Sequence, residues 1–195
     1  MTSREHSGRL RRELRFSQTK IKANLEILGL SPEESRPIID AVMVSDGLLG
    51  LYGSELLLLE KVLGITSGIP AVTLVGELVS VKQVPAGIGI SYGYLSRTAE
   101  PTNLGLVALG FSDGIPRAAT NLLLVSIQGK HYPNVGRIAM DQLIVDLGQD
   151  APSIGSEVEL FTEQQSLTEL AKLSGFTPLE IVGRITARVT RTWSE

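Results

Sequence analysis

The chain has 195 residues and a mass of 21.0 kDa, with 43% hydrophobic residues, 20% charged residues and a net charge of −3. That profile is an ordinary soluble globular one with length enough to bury a core. Cysteine is absent and the two histidines, His6 and His131, lie far apart. This excludes disulfides, thiolate catalysis, iron–sulfur clusters and cysteine-ligated zinc, and no metal site is expected. No apolar run reaches the roughly 18 residues of a membrane span, and no apolar signal region follows the basic N-terminus, so the expected compartment is the cytoplasm.

In chain order, residues 1–30 read as a basic N-terminal arm, either helical or mobile. Residues 1–22 carry Arg4, Arg9, Arg11, Arg12, Arg15, Lys20 and Lys22 against Glu5 and Glu13. Such an arm can attract phosphate or anionic lipid, but with Phe16 alone it offers no stacking platform for bases, and no nucleic-acid partner is expected. Leu10, Leu14, Ile21, Leu25 and Leu28 give a loosely phased helix over residues 10–30, with Gly29 as its stop. Residues 31–69 read as a helix followed by a short irregular segment. Ser31-Pro32-Glu33-Glu34 marks a helix start, with serine as cap and proline in the first turn, running to about Val42. Residues 55–65 form either a short helix or a strand.

The texture changes at residue 70, and residues 70–195 read as one mainly β domain. Ala71 to Val84 predicts a long strand in which Gly76 marks a bulge or a close approach. Further strands are expected at Leu104–Leu109, Leu122–Ile127, Asn134–Ile138, Gln142–Leu147 and Glu157–Phe161, with Ala187 to Trp193 closing the chain. Many short strands separated by turns point to a sandwich or closed barrel. Ser166-Leu167-Thr168-Glu169 and Thr177-Pro178-Leu179-Glu180 start two short helices, over residues 166–173 and 178–185.

Two segments mix Gly, Asp and Arg between strands: Gly110-Phe111-Ser112-Asp113-Gly114-Ile115-Pro116-Arg117 and Val135-Gly136-Arg137-Ile138-Ala139-Met140-Asp141-Gln142. Composition alone makes them a pair of turns with a surface Asp–Arg pair. Taken with Ser91-Tyr92-Gly93, Val145-Asp146 and the ending Glu180-Ile181…Arg188-Val189…Arg191, they carry more. In order and spacing, the stretch from Pro70 to Trp193 resembles the C-terminal domain of the alanine racemases. The resemblance implies an alanine-racemase-like β barrel or sandwich with two short helices. It also implies a pyridoxal-phosphate enzyme that interconverts L- and D-alanine, a precursor for the cell wall. In that family an N-terminal α/β barrel holds the cofactor on a lysine. The C-terminal β domain reaches across a head-to-tail dimer to the partner's barrel. Proton transfer uses that lysine and a tyrosine of the β domain, with the cofactor as electron sink. Tyr92 falls at the tyrosine base, Met140 where a backbone N–H meets the substrate carboxylate, and Arg117, Arg137, Asp141 and Phe111 along the entrance corridor. A free tyrosine has a pKa near about 10, so the base needs cationic neighbours to act near neutral pH.

The barrel half is missing from this pattern. A barrel needs roughly 200 residues or more, and 70 precede Ala71. Met43 to Gly53 resembles the exit of the last barrel strand, but Ser45 stands where the family has the arginine that contacts the cofactor ring. Ile21-Lys22-Ala23-Asn24 resembles the surroundings of the cofactor lysine, which makes Lys22 the cofactor-binding candidate. The residues that should follow it are absent, and as a plain helix residue Lys22 is a solvated side chain. Phe111 and Leu179 replace family tyrosines at the substrate gate. Two readings follow. In one, the chain supplies the tyrosine base to a homodimer or to a barrel on a partner chain, without binding pyridoxal phosphate by itself. In the other, it is a non-catalytic dimerisation or interaction module.

Overall fold

The computed structural model describes residues 10–42, 53–65, 69–162 and 164–195. Along the chain it holds β1 (Glu13–Ser17), α1 (Gln18–Leu28), α2 (Pro32–Val42), α3 (Ser54–Val62), β2 (Val72–Val84), β3 (Gly89–Ile90) and β4 (Ser96–Arg97). There follow β5 (Thr102–Val107), β6 (Leu124–Ile127), β7 (Lys130–Pro133), β8 (Leu143–Gly148), β9 (Glu157–Leu160), α4 (Leu167–Ser174), α5 (Pro178–Arg184) and β10 (Thr190–Ser194). The mainly β class expected from the sequence is what the chain adopts. Residues 1–9 and 43–52, with Ser45 among the latter, fall outside the described residues.

Eight strands share one sheet. β1 lies between β10 and β2, and the order continues through β9 and β6 to β7, while β5 pairs with both β2 and β8. All pairs are antiparallel except β1 with β10. β2 does double duty. Its first half lies between β1 and β9, and beyond an irregularity at Leu78–Ser80 its second half pairs with β5. The ring then shuts where Asn134 bridges Val145 of β8 and the Val135 N–H donates to the Ile144 carbonyl at 2.9 Å. A closed path of this kind leaves few exposed sheet edges. Gly76 is the close approach expected of it: a Cβ there would overlap the side chain of Leu109.

Two sequence expectations are corrected, and one left open is settled. Residues 13–17 are a strand, not a helix or a mobile arm. Leu14 and Phe16 are buried and alternate with Glu13, Arg15 and Ser17, a period of two that the looser helical spacing of Leu10 and Leu14 obscures. The helix begins only at Ser17, whose hydroxyl accepts from the Lys20 N–H at 3.3 Å, and stops at Gly29 with φ 68°. Residues 54–62 resolve as a helix. The expected strand 134–138 is instead a loop: pairing stops at Pro133, the Asn134 side chain bonds the Ile144 carbonyl at 2.9 Å, and Gly136 turns at φ 78°.

Arg11 and Arg15 of the arm are held by acidic residues of the sheet. Arg15 grips Glu157 with two nitrogens at 2.8 and 2.9 Å, Arg11 reaches the same carboxylate at 2.6 Å, and Glu13 closes on Arg15 at 2.9 Å. The helical segment is equally committed. Ile21 and Leu25 of α1 and Leu59 and Val62 of α3 belong to the same buried cluster as the strands. Asn24, 2% exposed, locks it there: its amide donates to the carbonyls of Val62 (3.0 Å) and Ile69 (2.9 Å) and accepts from the Ile69 N–H (2.8 Å).

Asn24→Ala strips these partners from two carbonyls and an N–H at a largely buried site, and should cost about 2–4 kcal/mol by denaturant unfolding; a loss well under about 1 kcal/mol would show the clamp to be dispensable. The Arg15 hydrogen bond holds the Glu157 carboxyl below its ordinary value of 4.5. The unfolded chain therefore takes up the proton first as pH falls. The stabilisation is present above the ordinary value and is lost as pH drops toward the lower folded value. Thermal melts across that acid window should show a steeper decline for the wild type than for Glu157→Gln; parallel curves would contradict it.

Candidate functional site

Three loops converge at one end of the barrel. The first joins β3 to β4 through a single 3-10 turn, Tyr92–Tyr94. The second spans residues 110–114, and the third residues 134–142 between β7 and β8. Short strands that end in such loops make a rigid base for side chains directed outward.

The first and third loops are pinned together. The Ser91 hydroxyl donates to the Arg137 carbonyl at 2.7 Å. The Gly136 N–H donates to Asn121 Oδ1 at 2.7 Å and to the Ser96 hydroxyl at 3.2 Å. Between them lies an open cavity of about 300 Å³ lined by Ser91, Tyr92, Tyr94, Arg137, Ala139, Gln142 and Ile144. Tyr92 stands on its rim, 69% exposed, and no described residue hydrogen-bonds its hydroxyl. Arg137 is the cation of the cavity, its guanidinium against Gly93.

The second loop is fastened to the third by main-chain bonds. The Phe111 N–H donates to the Ala139 carbonyl at 3.0 Å and the Ser112 N–H to the Met140 carbonyl at 2.9 Å. Gly110 has no room for a side chain because a Cβ would run into the Met140 carbonyl. Met140 is 57% exposed, and its own N–H finds no partner among the described residues. A free main-chain donor beside an arginine-lined cavity suits an anionic oxygen. Arg117 lies 5.9 Å over the Phe111 ring, a cation–π contact on the outer rim.

Beneath these loops sits a buried carboxylate. Asp113 is fully buried; its Oδ2 accepts the Gly110 N–H at 2.9 Å, while Oδ1 faces Arg12 at 3.1 Å and Arg188 at 3.5 Å. Arg188 also holds Asp141 at 2.7 Å. Burial pushes the Asp113 carboxyl above its ordinary range, against the pull of the Gly110 N–H and the two arginines. The Asp141 hydrogen bond raises Arg188. These charges fix the loops rather than face the cavity.

Of the residues singled out from sequence, Tyr92 and Arg137 share the cavity. Phe111, Met140, Asp141 and Arg117 gather on the adjoining loops. Lys22 stands apart on the solvent side of α1 and lines none of this. Arg12 and Gln142 were missed as site-related. Gln142 lies inside a recognised motif, but Arg12 sits in a run of like charges that by itself reads as a solvated tail. Among the described residues no group of three acidic, histidine or cysteine side chains is placed to bind a metal, and no helix is long and apolar enough to cross a membrane.

The cavity offers no lysine, so its lining does not fit a lysine-bound pyridoxal phosphate. The arginine expected at the cofactor ring is replaced at Ser45, which falls outside the described residues.

Comparison with known proteins converges on one family. The family described as "Alanine racemase, C-terminal domain" matches residues 71–193. The alanine racemase of Streptomyces coelicolor is 45% identical over 128 residues, covering 64% of this chain and 33% of that protein. The alanine racemase of Shewanella frigidimarina is 40% identical over 122 residues, covering 62% and 33%. The chain thus spans about a third of the length of these curated relatives. Among solved structures, alanine racemase from Streptomyces coelicolor superposes with a TM-score of 0.61, covering 65% of this chain and 34% of that one. Alanine racemase from Bartonella henselae with covalently bound pyridoxal phosphate gives 0.61 at 29% identity, covering 64% and 35%.

Asp113→Ala would leave Arg12, 15% exposed, without its counter-charge and facing Arg188, which keeps only Asp141. It should cost about 3–5 kcal/mol of stability and shift the amide resonances of Phe111 and Ser112. A loss under about 1 kcal/mol with those resonances unmoved would remove Asp113 from its role as the anchor of both loops.

Proposed function

The chain belongs to the alanine racemase C-terminal domain family, and on that premise we propose that it is the tyrosine-bearing half of an amino-acid racemase site that is completed by a barrel on another chain. The observation that carries the reading is Tyr92: an exposed phenol on the rim of an open cavity that also holds the Arg137 cation and has no lysine, histidine or carboxylate in its lining. A reaction that inverts a Cα needs a proton donor on one face and an acceptor on the other. Tyr92 supplies one. The other, with the pyridoxal phosphate that relatives use, belongs to the partner.

Within this scheme each residue has a task. Tyr92 moves a proton between its phenolic oxygen and the substrate Cα. The Met140 N–H receives the substrate carboxylate. Arg137 keeps the cavity electropositive, which draws in a carboxylate substrate. Arg117, Phe111 and Asp141 form the outer corridor, where Phe111 keeps an aromatic wall without a hydroxyl. The substrate class is a small amino acid, alanine by kinship. Alone, the chain binds pyridoxal phosphate weakly and does not racemise.

A second reading draws on the exposure of Tyr92, Tyr94, Leu95 and Met140 at the same end of the molecule. An apolar surface of this kind suits docking against a protein partner with no chemistry. In this reading the partner is a second copy or a barrel-bearing chain that gains only an interface.

One experiment separates the two. The purified chain is mixed with a full-length alanine racemase whose own β-domain tyrosine has been changed to phenylalanine. The first reading expects racemisation to return with the wild-type chain and to fall about 100-fold or more with Tyr92→Phe. A complex that forms but stays inactive in both cases supports the interaction module. No complex and no activity rejects both. Visible absorbance after adding pyridoxal phosphate to the chain alone, with racemisation abolished by Lys22→Ala, would instead restore a self-sufficient enzyme.

A further inference from the structure

The backbone on either side of Tyr92 is held in conformations that L-residues avoid. Ser91 has φ 58° and ψ −169°, a region essentially reserved for glycine. Gly93 follows at φ 74° and Tyr94 at φ 48°. Tyr92 is thus the crest of a sharp turn whose shoulders are both left-handed. Strain of this kind persists only where the surroundings over-determine it.

The surroundings here are the loop 134–138. The Ser91 hydroxyl is fixed to the Arg137 carbonyl at 2.7 Å. Gly136, itself at φ 78°, lies so close that a Cβ on it would come within 2.9 Å of the Ser91 Cβ. The guanidinium of Arg137 covers Gly93, 3.0 Å from where a side chain there would begin. The ring of Tyr94 packs on Gly89, which leaves no space for a Cβ at that position. Gly136 is in turn held by Asn121 and Ser96. The clamp therefore reaches beyond the two loops, to Asn121 and to Ser96 of β4, and Tyr92 projects from between the clamped residues.

We propose that Ser91 is a positioning residue for Tyr92: its strained backbone, pegged by its hydroxyl to the main chain of Arg137, sets the direction in which the phenol leaves the β domain. This rests on the proton-transfer role of Tyr92 proposed above. Arg137 then has two separable functions. Its side chain serves the cavity, and its carbonyl holds the peg. A rotatable phenol on a relaxed loop would sample many directions. A phenol on a clamped turn is pre-aimed at whatever surface docks against it, which is what a two-chain site requires.

The test compares Ser91→Ala with Ser91→Gly in the full chain. Both remove the peg, but only glycine relieves the strain. Ser91→Ala should lower Tm by about 2–4 °C. Ser91→Gly should melt at or above the wild type, reversing the usual order in which alanine is the more stabilising of the two. In both variants the Tyr92 amide order parameter should drop from about 0.85 to below about 0.6, while β2 and β8 stay rigid. With the full-length partner described above, Ser91→Gly should lower kcat about ten-fold or more with KM unchanged. An alanine variant as stable as the glycine variant, or a Tyr92 as ordered in both as in the wild type, would overturn the proposal. If the wild-type chain restores no activity, the racemase reading fails. The melting order and the order parameter of the chain alone then still decide whether Ser91 aims Tyr92.

Discussion

Everything in this molecule depends on five residues, Glu13–Ser17, threaded between β2 and β10. Leu14 and Phe16 fill the core from that position. Arg15 and Arg11 grip Glu157 from its outer face, and Arg12, just before it, reaches the buried Asp113 under the site loops. The strand joins the two ends of the chain in one sheet and delivers a counter-charge to the loops that carry Met140 and Phe111. It lies outside the segment that matches the family, residues 71–193. The ring itself closes within that matched segment, through β2, β5, β8, β7, β6 and β9, and β1 adds to it from outside along the first half of β2.

Much of this was legible in the sequence where physics is local. Capping residues announced α2, α4 and α5: Ser31, Ser166 and Thr177 each accept from the N–H three residues on. Apolar runs set off by turn signals announced β2, β5 and β8. β1 was hidden because its alternation spans five residues inside a run of arginines, and net charge dominates such a short window. Only the fold shows that Arg11, Arg12 and Arg15 each meet an acidic partner more than a hundred residues away. The loop 134–138 was mistaken for a strand because it follows a turn signal and holds Val135 and Ile138, while beyond a single bridge at Asn134 the chain turns away at Gly136.

The site divides the same way. Tyr92, Arg137, Phe111 and Met140 were found through a resemblance spread over four motifs, and the fold gathers their loops at one end of the barrel. Arg12 could not be found so, because its partner is fixed by topology rather than by spacing. Nor does any sequence rule announce a serine at φ 58°. Such a conformation is imposed by the contacts of Gly136 and Arg137, and it becomes visible only when loops distant in sequence are seen together. The resulting picture is a stiff scaffold with an exposed, tyrosine-bearing rim.

The adjacency of β1 and β2 has a consequence for how such a protein can be shortened or enlarged. The two strands are antiparallel neighbours, so residues 18–71 form one long excursion that leaves the sheet and comes back beside its starting point. By strand pairing the sheet registers only the two ends of that excursion, while its helices pack on the core. Loop-closure entropy grows with the logarithm of length. Exchanging this helical excursion for one about four times longer costs only about 1.2 kcal/mol in chain entropy. The junction is in effect a port. A large domain can be carried there or a short helical plug can stopper it, and the barrel beneath folds by the same strand pairings in either case.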